Sequence, residues 1–171
     1  MSMLAALAIS IGVLAVVATW LFLGPLAALE AQVWQAFIAW ACFYHSGGKL
    51  TGARTAAIGM TFGAVVGMAS VLLANQLGML GEFAAPLAVG IGAAVIVLSS
   101  KIPVLETIPA SVYGFAAIAG LILLVPEMTA VKALLPTIVS IVIGTVFGYV
   151  SEALAGALTK KAPAPVGDAA G

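Results

Sequence analysis

The chain has 171 residues, of which 64% are hydrophobic and 7% charged, with six basic and six acidic residues balancing to zero. Soluble domains carry roughly a quarter charged residues, so this composition excludes an ordinary water-facing surface and reads as an integral membrane protein with lipid as its solvent. The neutral balance excludes a nucleic-acid-binding surface, and one Cys with one His excludes a disulfide framework and a Cys/His metal cluster.

Crossing about 30 Å of hydrocarbon takes about twenty apolar residues, and six such runs are predicted. The first covers 3–23; no Lys or Arg precedes it and it has the length of a full span, which separates it from a secretion signal despite the small residues Ala27 and Ala28. The second, 27–46, follows Pro25 and is closed by Gly47 and Gly48; the third covers 53–75. Asn75, Gly78 and Gly81 break the path to the fourth, 84–100, which has Pro86 near its start. Pro103 marks the next connection, the fifth run is 107–125 with Pro109 near its start, and Pro126 separates it from the sixth, 133–157, with Pro136 near its start. Proline is tolerated in the first helical turn, where its missing N–H costs little. The runs lack strict alternation, and lipid leaves no partner for free backbone groups, so they are helices and not barrel strands. The predicted fold is all-α: a six-helix transmembrane domain over 1–158 and a Pro- and Ala-rich tail, 159–171, expected to be disordered and cytoplasmic.

Basic residues in short loops are retained in the cytoplasm. With an inside N-terminus, Lys49, Arg54, Lys101, Lys160 and Lys161 lie inside and Lys132 alone lies outside, so both termini are expected in the cytoplasm of a multi-pass inner (plasma) membrane protein. Glu30, Glu82 and Glu127 then fall outside, and Trp20 and Trp34 suit interfacial depths.

Three pairs of segments match in order across the chain: LAISIG (7–12) with LAVGIG (87–92), FIAWAC (37–42) with FAAIAG (115–120), and GAVVG (63–67) with GTVFG (144–148), at offsets of 80, 78 and 81. Three crossings per half, an odd number, require the second copy to enter the membrane from the opposite side. The expectation is two inverted three-helix repeats, about 3–75 and 84–157, as in many transporters.

No charged side chain is predicted at the middle of a span. The nearest is Glu152, about 10 Å from the midpoint of the sixth helix at 1.5 Å per residue, a candidate cation or proton site. His45, in the string FYHSGGK, is a candidate gate titrating near neutral pH. Glu106 is expected to cap the fifth helix. Deeper polar groups are neutral: Gln35, Thr61, Ser111, Tyr113, Ser140 and Thr145. Gln35 and Tyr113 correspond at the 78-residue offset and are expected to face each other near the midplane, where repeat transporters bind substrate. The predicted path is therefore Gln35, Tyr113, Ser111, Thr145, His45 and Glu152. Gly59, Gly63 and Gly67, with Gly144 and Gly148, recur every four residues and are expected to let helix axes approach closely. With no HExxH, GxSxG or Walker pattern, neither an enzyme, a cofactor nor a metal is expected.

The strings WQAFIAWACFYHSGGK (34–49) and IPASVYGFA (108–116) resemble the bacterial inner-membrane family called domain of unknown function 1097, the YcdZ-like proteins. The resemblance spans the chain to about residue 157. It implies a small polytopic inner-membrane protein and assigns no activity or site residues. The residues themselves point to a channel or facilitator for a small neutral or weakly charged solute, expected to be homo-oligomeric in the bilayer. Two alternatives stand beside it: a proton- or cation-coupled transporter using Glu152, and a non-transporting scaffold or accessory subunit binding partner helices through its glycine stripes.

Overall fold

The computed structural model describes residues 1–159; the tail from Lys160, expected to be disordered and carrying Lys160 and Lys161, lies outside the described residues. The described chain is all-helical, with six α-helices: α1 (Met3–Leu23), α2 (Val33–His45), α3 (Lys49–Gln76), α4 (Ala84–Ser99), α5 (Ile108–Leu124) and α6 (Ala130–Thr159). Four segments are long and apolar enough to cross a membrane: Met3–Leu23, Lys49–Gln76, Gly78–Ser99 and Ala130–Thr159. The other two helices, α2 and α5, have 13 and 17 residues and are shorter than the predicted runs 27–46 and 107–125.

The shortness of α2 has a local cause. Residues expected to begin that span form a 3₁₀ turn, Ala27–Leu29, closed by Glu30 at φ 55°. A residue in this left-handed region cannot continue a right-handed helix. The Gln32 side chain donates to the Glu30 carbonyl at 2.8 Å, and the Gln32 backbone N–H donates to Ser140 Oγ of α6 at 2.9 Å. α2 therefore starts against α6 with one of its unpaired N-terminal donors already satisfied. Chain ends tie this stretch along α6. Glu30 meets Lys132 at 2.9 Å near the start of α6, and the Lys49 backbone N–H meets the Glu152 carboxylate at 2.6 Å near its other end. The twenty residues from 132 to 152 rise about 30 Å at 1.5 Å per residue, the thickness of a hydrocarbon core.

Pro136 is another correction. α6 begins at Ala130, with the Thr129 hydroxyl accepting from the Lys132 N–H at 3.2 Å, so Pro136 lies inside the helix and not in its first turn. The Ser140 hydroxyl donates to the Pro136 carbonyl at 2.9 Å.

At the centre α3 crosses α6. α3 lies chiefly on α5 and then on α4, while α6 lies chiefly on α2 and then on α1. The peripheral helices bury one narrow stripe each: Ala6, Ser10, Ala18 and Phe22 on α1, and Ala84, Ala88, Gly92 and Ile96 on α4. Their other faces expose Leu4, Val13, Val16, Trp20, Val97 and Leu98. In water this would be an aggregating surface; in lipid it is the solvated one. The main core gathers Phe43, Met60, Ile118, Leu121 and Ile141 from α2, α3, α5 and α6.

Candidate functional site

Glycines set how closely the central helices approach. A Cβ on Gly63 would overlap the Ser111 backbone, one on Gly114 the Met60 backbone, and one on Gly59 would press on the Ala110 Cβ. Gly67 lies against Ile118 and the Phe115 backbone, Gly144 against the Ala36 backbone, and Gly148 against the Phe43 ring. All five predicted stripe glycines are therefore consumed within the chain, α3 onto α5 and α6 onto α2. That withdraws the surface the scaffold reading relied on.

At the junction of α2, α5 and α6 this close packing encloses Gln35, which is fully buried. Its Nε2 donates to the Ala117 carbonyl at 2.9 Å and to Thr137 Oγ1 at 3.0 Å. A carbonyl only accepts, so the amide nitrogen must face Ala117. Both donors are then used, and the Oε1 acceptor is left buried without a hydrogen-bond partner. Thr145 Oγ1, on the buried part of α6, also has none. A buried polar atom without a partner carries a desolvation cost of about 1–3 kcal/mol, which sets the Gln35 acceptor and the Thr145 hydroxyl apart from the other buried polar groups.

The pairing expected between Gln35 and Tyr113 is not formed. Tyr113 instead hydrogen-bonds His45 Nδ1 at 3.3 Å, their rings edge to face at 5.8 Å, with His45 exposed at the end of α2. Ser111 is buried and supplies the backbone on which Gly63 rests. Glu152 is half-buried and accepts the backbone N–H of Lys49 at the first turn of α3, where a helix favours negative charge. A capping role belongs to this carboxylate and not to Glu106, since α5 follows Thr107 as its N-cap and has no side-chain cap hydrogen bond. Glu106 instead lines a cavity of about 250 Å³ with Thr51, Arg54, Thr55 and Thr107.

Sequence reasoning missed Thr137 and the group around Ser151. Trp40 Nε1 donates to Ser151 Oγ at 3.0 Å, Tyr44 bonds the same oxygen at 2.8 Å, and Ser151 donates to the Gly148 carbonyl at 2.7 Å. The available signal was spacing on one helix: Thr137, Ser140, Gly144, Gly148 and Ser151 recur every three or four residues and so share a face.

Four of the six predicted path residues thus fall into three separate groups: Gln35 with Thr137, Tyr113 with His45, and Glu152 with the start of α3. The family described as "Protein of unknown function (DUF1097)" matches residues 8–156. No curated protein and no solved structure matches the chain. The match covers most of the chain, including every helix that builds the buried groups, and the chain belongs to the DUF1097 family.

Proposed function

We propose that this is a small multi-pass facilitator or transporter for a neutral or weakly charged polar solute, built from two inverted three-helix repeats and without enzymatic activity. The observation that carries it is the exchange of packing partners between the halves. Replacing α1 by α4, α2 by α5 and α3 by α6 turns the α3–α5 interface into α6–α2 and the α3–α4 interface into α6–α1, while α3–α6 maps onto itself. A two-fold axis in the membrane plane generates this pattern, and solute sites in repeat transporters lie at such an axis.

Individual contacts follow the same exchange. Gly63 on Ser111 answers to Gly144 on Ala36, and Gly67 on Ile118 to Gly148 on Phe43. With α3 and α6 related by 81 residues, α2 and α5 are related by 75, from 36 to 111 and from 43 to 118. The matched strings FIAWAC and FAAIAG run at 78, one helical turn away. Small residues recur at every turn of these helices, so strings alone do not distinguish a one-turn slip. At 75, Gln35 answers to Ala110 and Tyr113 to Ile38, which accounts for the separation of Gln35 from Tyr113. Two cavities of about 230 and 250 Å³ also answer to each other: one lined by Leu23, Glu30, Ala31 and Gln32, the other by Pro103, Glu106 and Thr107. They lie at the Lys132 and Glu152 ends of α6, as expected of two mouths.

With Lys49, Arg54 and Lys101 as cytoplasmic residues, the Lys132 end faces outward and the N-terminus inward. The coupled alternative is less favoured, because the Glu152 carboxylate is already engaged by the Lys49 N–H. The test is solute flux in proteoliposomes over urea, glycerol and larger polyols. Permeability above empty vesicles for at least one of these supports the proposal, and none for any overturns it.

A further inference from the structure

Of the two pseudo-equivalent interfaces, one is the more polar. Along the buried face of α6 stand Thr137, Ser140, Thr145 and Ser151; their counterparts on α3, at 81 residues, are Ala56, Gly59, Ala64 and Ser70. Gln35 on α2 likewise answers to Ala110 on α5. The α3–α5 contact is closed by glycines from both sides, Gly63 against Ser111 and Gly114 against Met60, with Gly59 against Ala110. The α2–α6 contact has Gly144 against the Ala36 backbone and Gly148 against the Phe43 side chain. At it lies the buried acceptor without a partner, Gln35 Oε1, and further along α6 the buried Thr145 hydroxyl has none either. Its ends carry the Glu30–Lys132 pair and the Glu152–Lys49 contact, so polar groups recur from one end of α6 to the other.

Resting on the transport reading above, we propose that the α2–α6 interface is the seam that opens for solute, while the α3–α5 interface is a permanent brace. Gln35 is the recognition residue. Its two amide hydrogens are held by Ala117 and Thr137, so it offers a solute only an acceptor; the Thr145 hydroxyl stands about 12 Å further along α6, two turns beyond Thr137, as a second polar station. The solute class that satisfies Gln35 is a small neutral molecule presenting N–H or O–H donors, such as an amide or a polyol. A solute of similar size with acceptors alone can accept a hydrogen bond from the Thr145 hydroxyl but leaves Gln35 Oε1 unpaired, and is rejected there. Rejection of this kind is strong because the unmet group stays buried.

The test compares equivalent positions in the full-length protein in liposomes, on a Cys42→Ala background. Thr137→Cys and Thr145→Cys are expected to react with a small neutral methanethiosulfonate reagent about tenfold faster than Ala56→Cys and Ala64→Cys, as for a minor open state available to one seam only. Urea or glycerol is expected to slow the two reactive positions. Equal rates, or faster reaction on α3, overturn the seam. This readout does not depend on flux, so a labelled seam without permeability would count against the transport reading alone. For the solute class, urea and glycerol are expected to permeate and trimethylamine N-oxide, which has no donor, is not. Thr145→Val, which preserves shape, is expected to reduce urea flux several-fold with unchanged gel filtration. Permeation of trimethylamine N-oxide at the urea rate overturns the class.

Discussion

Gly63 rests directly on the backbone of Ser111, with no room between them for a single methyl group. Lipid tails give helices no hydrophobic reason to associate, so such contact is the cohesive force of the bundle. Gly63→Ala is expected to cost several kcal/mol, since neither backbone can yield without separating α3 from α5, and overpacking alone costs about 1–3 kcal/mol. Gly63→Leu is expected to prevent assembly. The opposite holds at Gly12 and Gly90, where a Cβ meets nothing within 4 Å. There alanine is expected to stabilise by up to about 1 kcal/mol through helix propensity. Thermal unfolding in detergent should rank Gly90→Ala above the parent protein and Gly63→Ala below it.

Gln35 separates stability from function. Gln35→Leu keeps the volume and removes an acceptor that has no partner, while the Ala117 carbonyl retains its helical bond; it also takes the Gln35 hydrogen bond from the buried Thr137 hydroxyl, so one orphan is exchanged for another. Melting is expected to stay level, and urea flux to fall to the level of empty vesicles. A variant that is less stable yet transports normally would reverse both halves of this expectation.

For Glu152 the expected effect is structural. Glu152→Gln keeps an acceptor for the Lys49 N–H and loses only the charge at the start of α3, a term of about 0.3–1 kcal/mol. Glu152→Ala loses the cap as well, about 1 kcal/mol in typical cases. Solute flux by Glu152→Gln is expected within twofold of the parent and independent of a pH gradient. Collapse of flux in that variant would restore the coupled-transporter reading.

Ser151 serves three partners at once: Trp40, Tyr44 and the Gly148 carbonyl. Hydrogen bonds between membrane helices average about 0.6 kcal/mol. Ser151→Ala breaks two of them between α2 and α6 and is expected to cost about 1 kcal/mol. It also releases the Trp40 N–H, which should shift tryptophan emission; in a Trp40→Phe background the serine change should leave emission unaltered.

Much of the helical framework was legible from the string. The runs 3–23 and 84–100 agree with α1 and α4 within a residue, and the glycine stripes marked the helix faces that meet. Hydropathy and breakers determine these features because each acts within a few residues of itself. Sequence did not reveal that the chain at Glu30 turns into a left-handed conformation and shortens α2, since its partners, Lys132 and Ser140, come from α6.

The sequence by itself determined a neutral, lipid-solvated, all-helical chain and the glycines through which its helices touch, because composition sets the solvent and side-chain size sets approach. Only the tertiary structure decided that Gln35 belongs with Ala117 and Thr137, Tyr113 with His45, and Glu152 with Lys49. Rotating one helix by a turn leaves its apolar pattern almost unchanged but gives every polar group a different neighbour. Contacts across interfaces, and not periodicity within a helix, choose among those rotations.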